Sequence, residues 1–422
     1  MGSDVYDYEK AIFITVCFYS LNLSMNILFI RDYPFIDGTF TLLLRQAYHA
    51  KKDGHNPYFL FLNKNIETSL LVEVKGICPV YFPGDLSRLK SENNLPPIEV
   101  IHGILSGDRL YDCYDTIKAK YFPGAAVVIG FYHPRTFIIK THGWPSPDVK
   151  MYKKLFSKIP AQNLLFMNDV VRKEHESYFH LDFSKSPLVP IMVDVPAQYV
   201  PRKNVNKNKI VSVGRLVYFK NYISPLINLL ASLRKKGYAF EYHIYGEGEL
   251  MDEVKTIINK LDAGHYVYLH GRIEYADFNS IVNDALLFVG MGTSIIESSR
   301  QGVPGLQAIE SCQEDATYGW FFQQQGYEVG EQIAGKKTGS YEPFILQAYT
   351  SSEDEYALLC EKSWLRAREF SAEKVMQTYY SVLQNADKKF SFHIPVWKRY
   401  MIKLMRQPLK WKPLIKKDYR GR

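Results

Sequence analysis

Cysteine is scarce in this chain. Its five cysteines (Cys17, Cys78, Cys113, Cys312 and Cys360) are scattered through 422 residues, odd in number and without a Cys-x-x-Cys pair. That pattern indicates neither a zinc site nor a disulfide framework, and it suits a reducing cytosol. No Asp-x-Asp pair is present, so there is no obvious carboxylate site for a metal-bound substrate. His-Glu-x-x-His and Gly-x-Ser-x-Gly are missing too, and with them the zinc-peptidase and serine-hydrolase signatures. The apolar stretch 11–23 (AIFITVCFYSLNL) is thirteen residues long, too short to span a bilayer as a helix. Asp4, Asp7 and Glu9 precede it in place of the positive start of a signal peptide. Residues 1–24 read as an upstream extension, or else as an extra packed helix or edge strand.

The remaining composition is that of a globular protein, with 46% hydrophobic and 23% charged residues. The length favours two domains. The formal net charge of +8 is unevenly placed. Residues 388–422 hold twelve Lys or Arg against one acid, which leaves 40 basic and 43 acidic residues in 1–387. A slightly acidic body with one basic arm argues against a broad nucleic-acid surface.

From Met25 onward, apolar runs alternate with helical patterns. MNILFI (25–30), PYFLFL (57–62), IEVIHG (98–103), AAVVIGF (125–131), TFIIKTHG (136–143) and NLLFMN (163–168) read as strands. A Pro-containing, basic stretch near 195–209 reads as a linker. The pattern then restarts with KIVSVG (209–214), FEYHIYG (240–246), YVYLHG (266–271) and LLFVGMG (286–292). Helices are expected at 221–236, 249–262, 275–284, 353–368 and 371–386. Such alternation predicts two doubly wound α/β domains, each offering its strand-end loops to a shared cleft.

Residues 286–304 (LLFVGMGTSIIESSRQGVP) carry the most chemistry. A strand, a glycine turn and a helix start place N–H groups and the positive dipole end around an anion. Glu297, one turn in, suits sugar hydroxyls, since a carboxylate accepts two hydrogen bonds. A phosphate plus a diol is a nucleotide. Arg215 and Lys220 flank another strand-to-helix turn and could clamp a diphosphate; a solvated surface pair is the plain alternative. His142 stands before Gly143 at an expected strand end, as a cleft residue or a structural one. His102 reads as loop support. Gly246 and Gly248 form a Gly-x-Gly without the third glycine of a dinucleotide fingerprint. Residues 330–337 nearly spell a P-loop, but Lys337 stands where Ser or Thr belongs, so a basic surface loop is expected.

The motifs GRLVYFKN (214–221), YGEGEL (245–250), YLHGRI (268–273) and VGMGTSIIESSRQGVP (289–304) resemble, in order and spacing, family 4 retaining glycosyltransferases of the GT-B fold. A weaker likeness covers Gly38, Ile101-His102-Gly103, Thr141-His142-Gly143 and VPIMVDVP (189–196). The resemblance implies two Rossmann-like domains facing a central cleft: an acceptor domain over 25–200 and a nucleotide-sugar domain over 205–370. A crossover helix at 371–387 would return to the first domain. Arg215 and Lys220 would bind the donor diphosphate, Glu297 the ribose, and Gly271-Arg272-Ile273 would flank the base. Gly292 and Thr293 would approach the donor sugar and its phosphate, Gly38 the diphosphate, and His142 the reaction centre. No cofactor or metal is implied beyond the nucleoside diphosphate sugar. The acceptor would be a saccharide or a lipid-linked saccharide at the cytoplasmic face of the membrane. One departure stands out: the family's first glutamate falls on Val289, which motivates a silent, partner-binding homologue as an alternative and, further off, a sugar-nucleotide epimerase.

The tail has its own pattern. Val396, Trp397, Tyr400, Met401, Leu404 and Met405 share one helical face, with Lys398, Arg399, Lys403 and Arg406 on others. A basic amphipathic helix of this kind suits an anionic membrane surface; packing on the first domain is the alternative.

Overall fold

The computed structural model describes residues 24–32, 38–105, 108–138, 147–393, 395 and 397. Two six-stranded sheets organise it. The first runs β3(Val80–Tyr81)–β2(Asn56–Phe61)–β1(Asn26–Arg31)–β4(Val100–Ile104)–β5(Ala126–Phe131)–β6(Leu164–Phe166), all parallel. The second runs β12(Thr317–Trp320)–β11(Gly305–Ala308)–β10(Ala285–Gly290)–β7(Asn206–Val213)–β8(Glu241–Tyr245)–β9(Val267–Gly271), parallel except for β12. Numbered within its own domain, each sheet has the order 3-2-1-4-5-6. The order in which strands are added to the sheet therefore reverses between β1 and β4, and again between β7 and β10, which is where such sheets open a crevice.

The strands form where apolar runs can be buried on both faces. Every residue of β5 and β10 is buried, as expected for central parallel strands flanked by helices. The helices that position the site are α1 (Gly38–Lys52), α2 (Asp169–Phe179), α3 (Ile223–Lys235), α4 (Met251–Lys260), α5 (Thr293–Ser299), α6 (Glu353–Arg368) and α7 (Ala372–Asn385). Ser352 and Glu355 close a reciprocal capping box that starts α6, so the acidic run at 353–355 is a helix start.

Helix α7 crosses back to the first domain, as the fold class requires. Val193 N–H donates to Phe370 O at 3.0 Å and Ala372 N–H to Val193 O at 2.9 Å. The Tyr379 hydroxyl meets His102 Nδ1 at 2.5 Å, and Tyr380 donates to Asp53 at 2.7 Å. His102 is fully buried, and burial pulls its pKa down to about 3. It is a neutral core residue holding α7 to β4, in keeping with a supporting role.

The strand expected over 136–143 is not there at its start. Residues 136–138 lie in a turn, with Thr136 N–H bonded to His133 O at 3.0 Å, and Phe137 has φ +61°. Two strands and a tight turn compete for one apolar stretch, and β5 ends at Phe131. His142 lies outside the described residues, as do residues 1–23 and all of the expected tail helix except Trp397. Sequence periodicity also passed over β12, a four-residue antiparallel edge strand too short to show alternation.

Candidate functional site

The carboxyl edge of the second sheet assembles the expected residues. After β7, the chain turns through Gly214 and Arg215 into a short 3-10 turn at Tyr218–Lys220 and then α3. Lys220 folds back so that its Nζ would lie 3.4 Å from a Cβ placed on Gly214. Lys220 is half-buried and Arg215 exposed; among the described residues neither has a carboxylate partner. Burial, with the neighbouring Arg215 charge, pulls the Lys220 pKa down to about 8. Two unneutralised cations on a strand-end turn have the chemistry to hold an anion.

Gly246 and Gly248 serve this turn rather than a dinucleotide. Leu216 N–H donates to Glu247 O at 2.9 Å, and Leu250 N–H to Leu216 O at 3.0 Å. A Cβ on Gly246 would sit 1.9 Å from Gly214 O, and one on Gly248 would sit 2.2 Å from Leu216 O. The two backbones press together, and only glycine permits it.

At the end of the neighbouring strand β10 is the start of α5. Gly292 has φ +69°, with nothing within 4 Å of a would-be Cβ, so the backbone is open to a ligand. Its N–H is already spent on Val329 O at 2.6 Å. Among the described residues no backbone acceptor meets the first-turn N–H groups of Thr293 and Ser294, as at any helix start. Gly271 ends β9 with φ +72°, Arg272 is exposed and Ile273 half-buried, so these three flank the same edge on its far side. Gly38 opens α1 across the cleft, exposed and with nothing within 4 Å of a Cβ. Val289 is fully buried in the core of the second domain.

Glu297 is the surprise of the site. Its carboxylate is buried, and its Oε1 accepts from Arg45 Nη2 of α1 at 2.5 Å and from the Tyr275 hydroxyl at 2.9 Å. Arg300 Nε stands 2.6 Å from Oε2. Arg45 also donates to Met192 O, and Arg300 to Asp194 O, so the cluster ties α1 and α5 to the segment that leads into the linker. Burial is the largest influence and opposes the Arg45 charge, but Glu297, Tyr275 and Asp194 together outweigh it and hold the guanidinium pKa above its usual value. A ribose reaching Glu297 must share this carboxylate with Arg45.

Two further cross-domain contacts line the cleft. Arg135 stands 3.4 Å from Glu310, and Asn168 donates to Glu331 at 2.8 Å. Burial pushes the Glu331 carboxyl up to about 7. Sequence reading missed His133, two residues past the end of β5. Its ring packs edge-on to Phe219, centroids 6.0 Å apart, one residue from Lys220. Nδ1 accepts from Arg135 N–H at 3.0 Å, which places the ring proton on Nε2. Burial, with Arg135, His175 and Arg215 nearby, pulls its pKa down to about 4, so a neutral N–H donor faces the cleft. The signal was the end of the expected strand AAVVIGF at Phe131, two residues before His133; the further strand expected over 136–143 drew the reading to His142 instead.

Residues 198–307 match the family described as Glycosyl transferases group 1. A glycosyltransferase from Rickettsia africae ESF-5 superimposes with a TM-score of 0.63 at 14% identity, over 86% of this chain and 100% of that one. The apo form of the lipopolysaccharide outer core galactosyltransferase WaaB does so with 0.56 at 13%, over 85% and 99%. The pneumococcal O-GlcNAc transferase GtfA, in complex with UDP and GlcNAc, gives 0.57 at 12%, over 86% and 99%. At these identities the likeness is one of fold, and the expected GT-B architecture is borne out. No curated protein sequence matches the chain.

Proposed function

We propose that the chain is a glycosyltransferase that moves a sugar from a nucleoside diphosphate donor to a saccharide acceptor. The observation that carries this reading is the unneutralised pair Arg215 and Lys220, on the same sheet edge as the start of α5. The leaving group of such a transfer is a diphosphate. Cations and helix N–H groups aimed at it stabilise the charge that develops as the glycosidic bond breaks. The reading assigns base contacts to Gly271, Arg272 and Ile273, ribose contacts to Glu297, and phosphate contacts to Gly292, Thr293 and, across the cleft, Gly38. His142 keeps its proposed place near the donor sugar, and His133 Nε2–H is a second donor there. With two cations in place the transfer proceeds without a metal, and we assign it retention of configuration by resemblance.

The experiment is a panel of labelled nucleotide sugars incubated with the full chain and membrane lipid extract. Transfer to an extracted glycan is the expected result. Failure to bind any nucleoside diphosphate would falsify the reading. Val289, buried and apolar, and the Arg45–Glu297 pair favour a second reading, a silent homologue that binds a partner. Nucleoside diphosphate binding without transfer to any acceptor would support it. Epimerised nucleotide sugar would point to an epimerase instead.

The acceptor is proposed to be lipid-linked, with the basic tail holding the protein to the cytoplasmic face of an anionic membrane. Residues 387–393 leave from the first domain: Asn163 donates to Asp387 O at 3.0 Å, Lys118 to Lys388 O at 2.8 Å, and His393 meets Asp115 at 2.9 Å. Among the described residues no helix is long and apolar enough to cross a membrane. Each basic residue near such a surface adds about 1 kcal/mol. Deleting 388–422 is expected to move the protein from sedimented phosphatidylserine liposomes to the supernatant. Unchanged sedimentation sinks the membrane role.

A further inference from the structure

All strands of the first sheet run parallel, so their amino ends share one edge, opposite the cleft. Two segments of the chain meet the domain there. Ser24 precedes β1, and its hydroxyl accepts from Asn56 Nδ2 at 3.1 Å. The carboxylate of Glu99, just before β4, accepts from Asn26 N–H at 3.1 Å and stands 3.8 Å from Lys388 Nζ. The segment after α7 is fastened to the same edge by Lys118 and Asn163. Phe392 is buried there, and Phe390 packs edge-on to Tyr114, centroids 5.6 Å apart. The apolar stretch 11–23 therefore joins the domain on one side of Glu99, and the basic stretch from 388 onward leaves it on the other.

Charge and apolar surface together specify a partner. Lys51, Lys52, Lys90, Lys120, Lys158 and Lys389 are exposed on the loops and helix ends of this edge, and among the described residues none has a carboxylate partner. The acids there are fewer and already engaged. Asp53 accepts from Tyr380, Glu92 pairs with Arg88 at 3.5 Å, Glu99 holds Lys388, and Asp387 accepts from the N–H groups of Lys389 and Phe390. Lys90 and Lys120 converge. Lys90 donates to Lys120 O at 2.6 Å, and the two ammonium groups lie 5.9 and 5.0 Å from the Tyr121 ring centroid. Like charges held together repel one another and gain from an anion beside them. The apolar component adjoins them: residues 11–23 contain no charged residue, and Trp397, on the apolar face of the tail, is 63% exposed. An apolar insertion beside a polybasic patch supplies the two signals that stable membrane attachment takes. A single-stranded nucleic acid wants exposed stacking faces among the cations, and Tyr121, the ring between Lys90 and Lys120, is only 8% exposed.

We infer that the amino edge of the first sheet, with the two segments that meet it, forms one face that docks on an anionic phospholipid surface. This rests on the membrane reading of the basic tail above and extends it from the tail to the folded domain. The lysines meet lipid headgroups while the apolar segments enter the acyl boundary. The cleft opens at the other end of six-residue strands, about 20 Å away. It therefore points away from the bilayer, open to a soluble nucleotide sugar. A lipid-linked acceptor reaches it through a glycan long enough to pass the first domain.

The test is lysine acetylation footprinting of the full-length protein, read by mass spectrometry, with and without vesicles of phosphatidylcholine containing phosphatidylserine. Lys51, Lys52, Lys90, Lys120 and Lys158 are expected to be protected by the vesicles. Lys255 and Lys260, exposed on α4 of the second domain, are expected to react as before. Sedimentation gives the magnitude. Lys90→Ala with Lys120→Ala is expected to weaken vesicle binding about 25-fold, at about fivefold for each lysine. Lys255→Ala with Lys260→Ala is expected to leave it unchanged, and both variants should keep the wild-type urea midpoint. Protection confined to residues from 388 onward, equal protection of Lys255 and Lys260, or wild-type affinity in the Lys90 and Lys120 variant would each overturn the docking face and leave the tail reading standing. Wild type that does not sediment with the vesicles overturns both. Protection of the edge by polyuridylate and not by vesicles assigns it to nucleic acid and overturns the proposal.

Discussion

Replacing Glu297 with alanine is expected to destabilise the protein by about 3–5 kcal/mol, the usual cost of removing one partner from a buried ion cluster. The side chains of Arg45 and Arg300 are each only 12% exposed, and that of Glu297 3%. Without the carboxylate, two guanidinium groups remain buried with only the more distant Asp194 as a counter-charge, and the Tyr275 hydroxyl loses its acceptor. Arg45→Ala should cost less, because Glu297 keeps Arg300 and Tyr275. Urea unfolding of the full-length variants checks the pair. A loss below about 1 kcal/mol for Glu297→Ala would mean that the cluster is solvated like a surface pair. The same variants separate stability from ligand binding. If Arg45 competes with ribose for the carboxylate, Arg45→Ala binds nucleoside diphosphate more tightly than wild type while being less stable.

Lys220→Ala is expected to weaken nucleoside diphosphate binding by about tenfold to a hundredfold, the range for loss of one charge-assisted contact. The pH dependence is more specific. Lys220 has its pKa pulled from the usual lysine range down to about 8 by burial and by Arg215. Only the ammonium binds an anion well. Below pH 8 the group is charged and affinity is flat in this term; above it the charged fraction falls, and affinity drops toward about tenfold per pH unit. Bound diphosphate raises the pKa again, so binding takes up a proton in this range. Lys220→Arg keeps its charge throughout, and its affinity should lose the slope above pH 8. Calorimetry with the nucleoside diphosphate from pH 7 to 9.5 decides it; a wild-type profile flat across that range overturns the role of Lys220.

Much of the second domain was legible in the sequence. KIVSVG, FEYHIYG, YVYLHG and LLFVGMG each formed a strand, and 353–368 formed a helix over those same residues. These elements are set by local periodicity and by cap and turn residues, which act within a few positions. The first domain was read less well where two apolar runs follow one another. AAVVIGF became β5, while TFI, a few residues on, went into a turn, and the cleft histidine next to Phe219 is His133. Periodicity cannot rank two adjacent apolar runs; the neighbouring strands β4 and β6 do that by pairing.

What the sequence determined by itself is therefore a list of elements and the chemistry at their ends: an alternating α/β chain, a cation pair on one turn, and a glycine turn leading to Glu297 on the next helix. Each depends on residues close together in the chain. Only the tertiary structure decided what meets those groups. Arg45 reaches Glu297 across 252 positions. Asn168 meets Glu331 across 163 positions. Such contacts arise from the packing of one sheet edge against the other domain, and no local pattern carries them, because side chains that meet in space need share nothing along the chain.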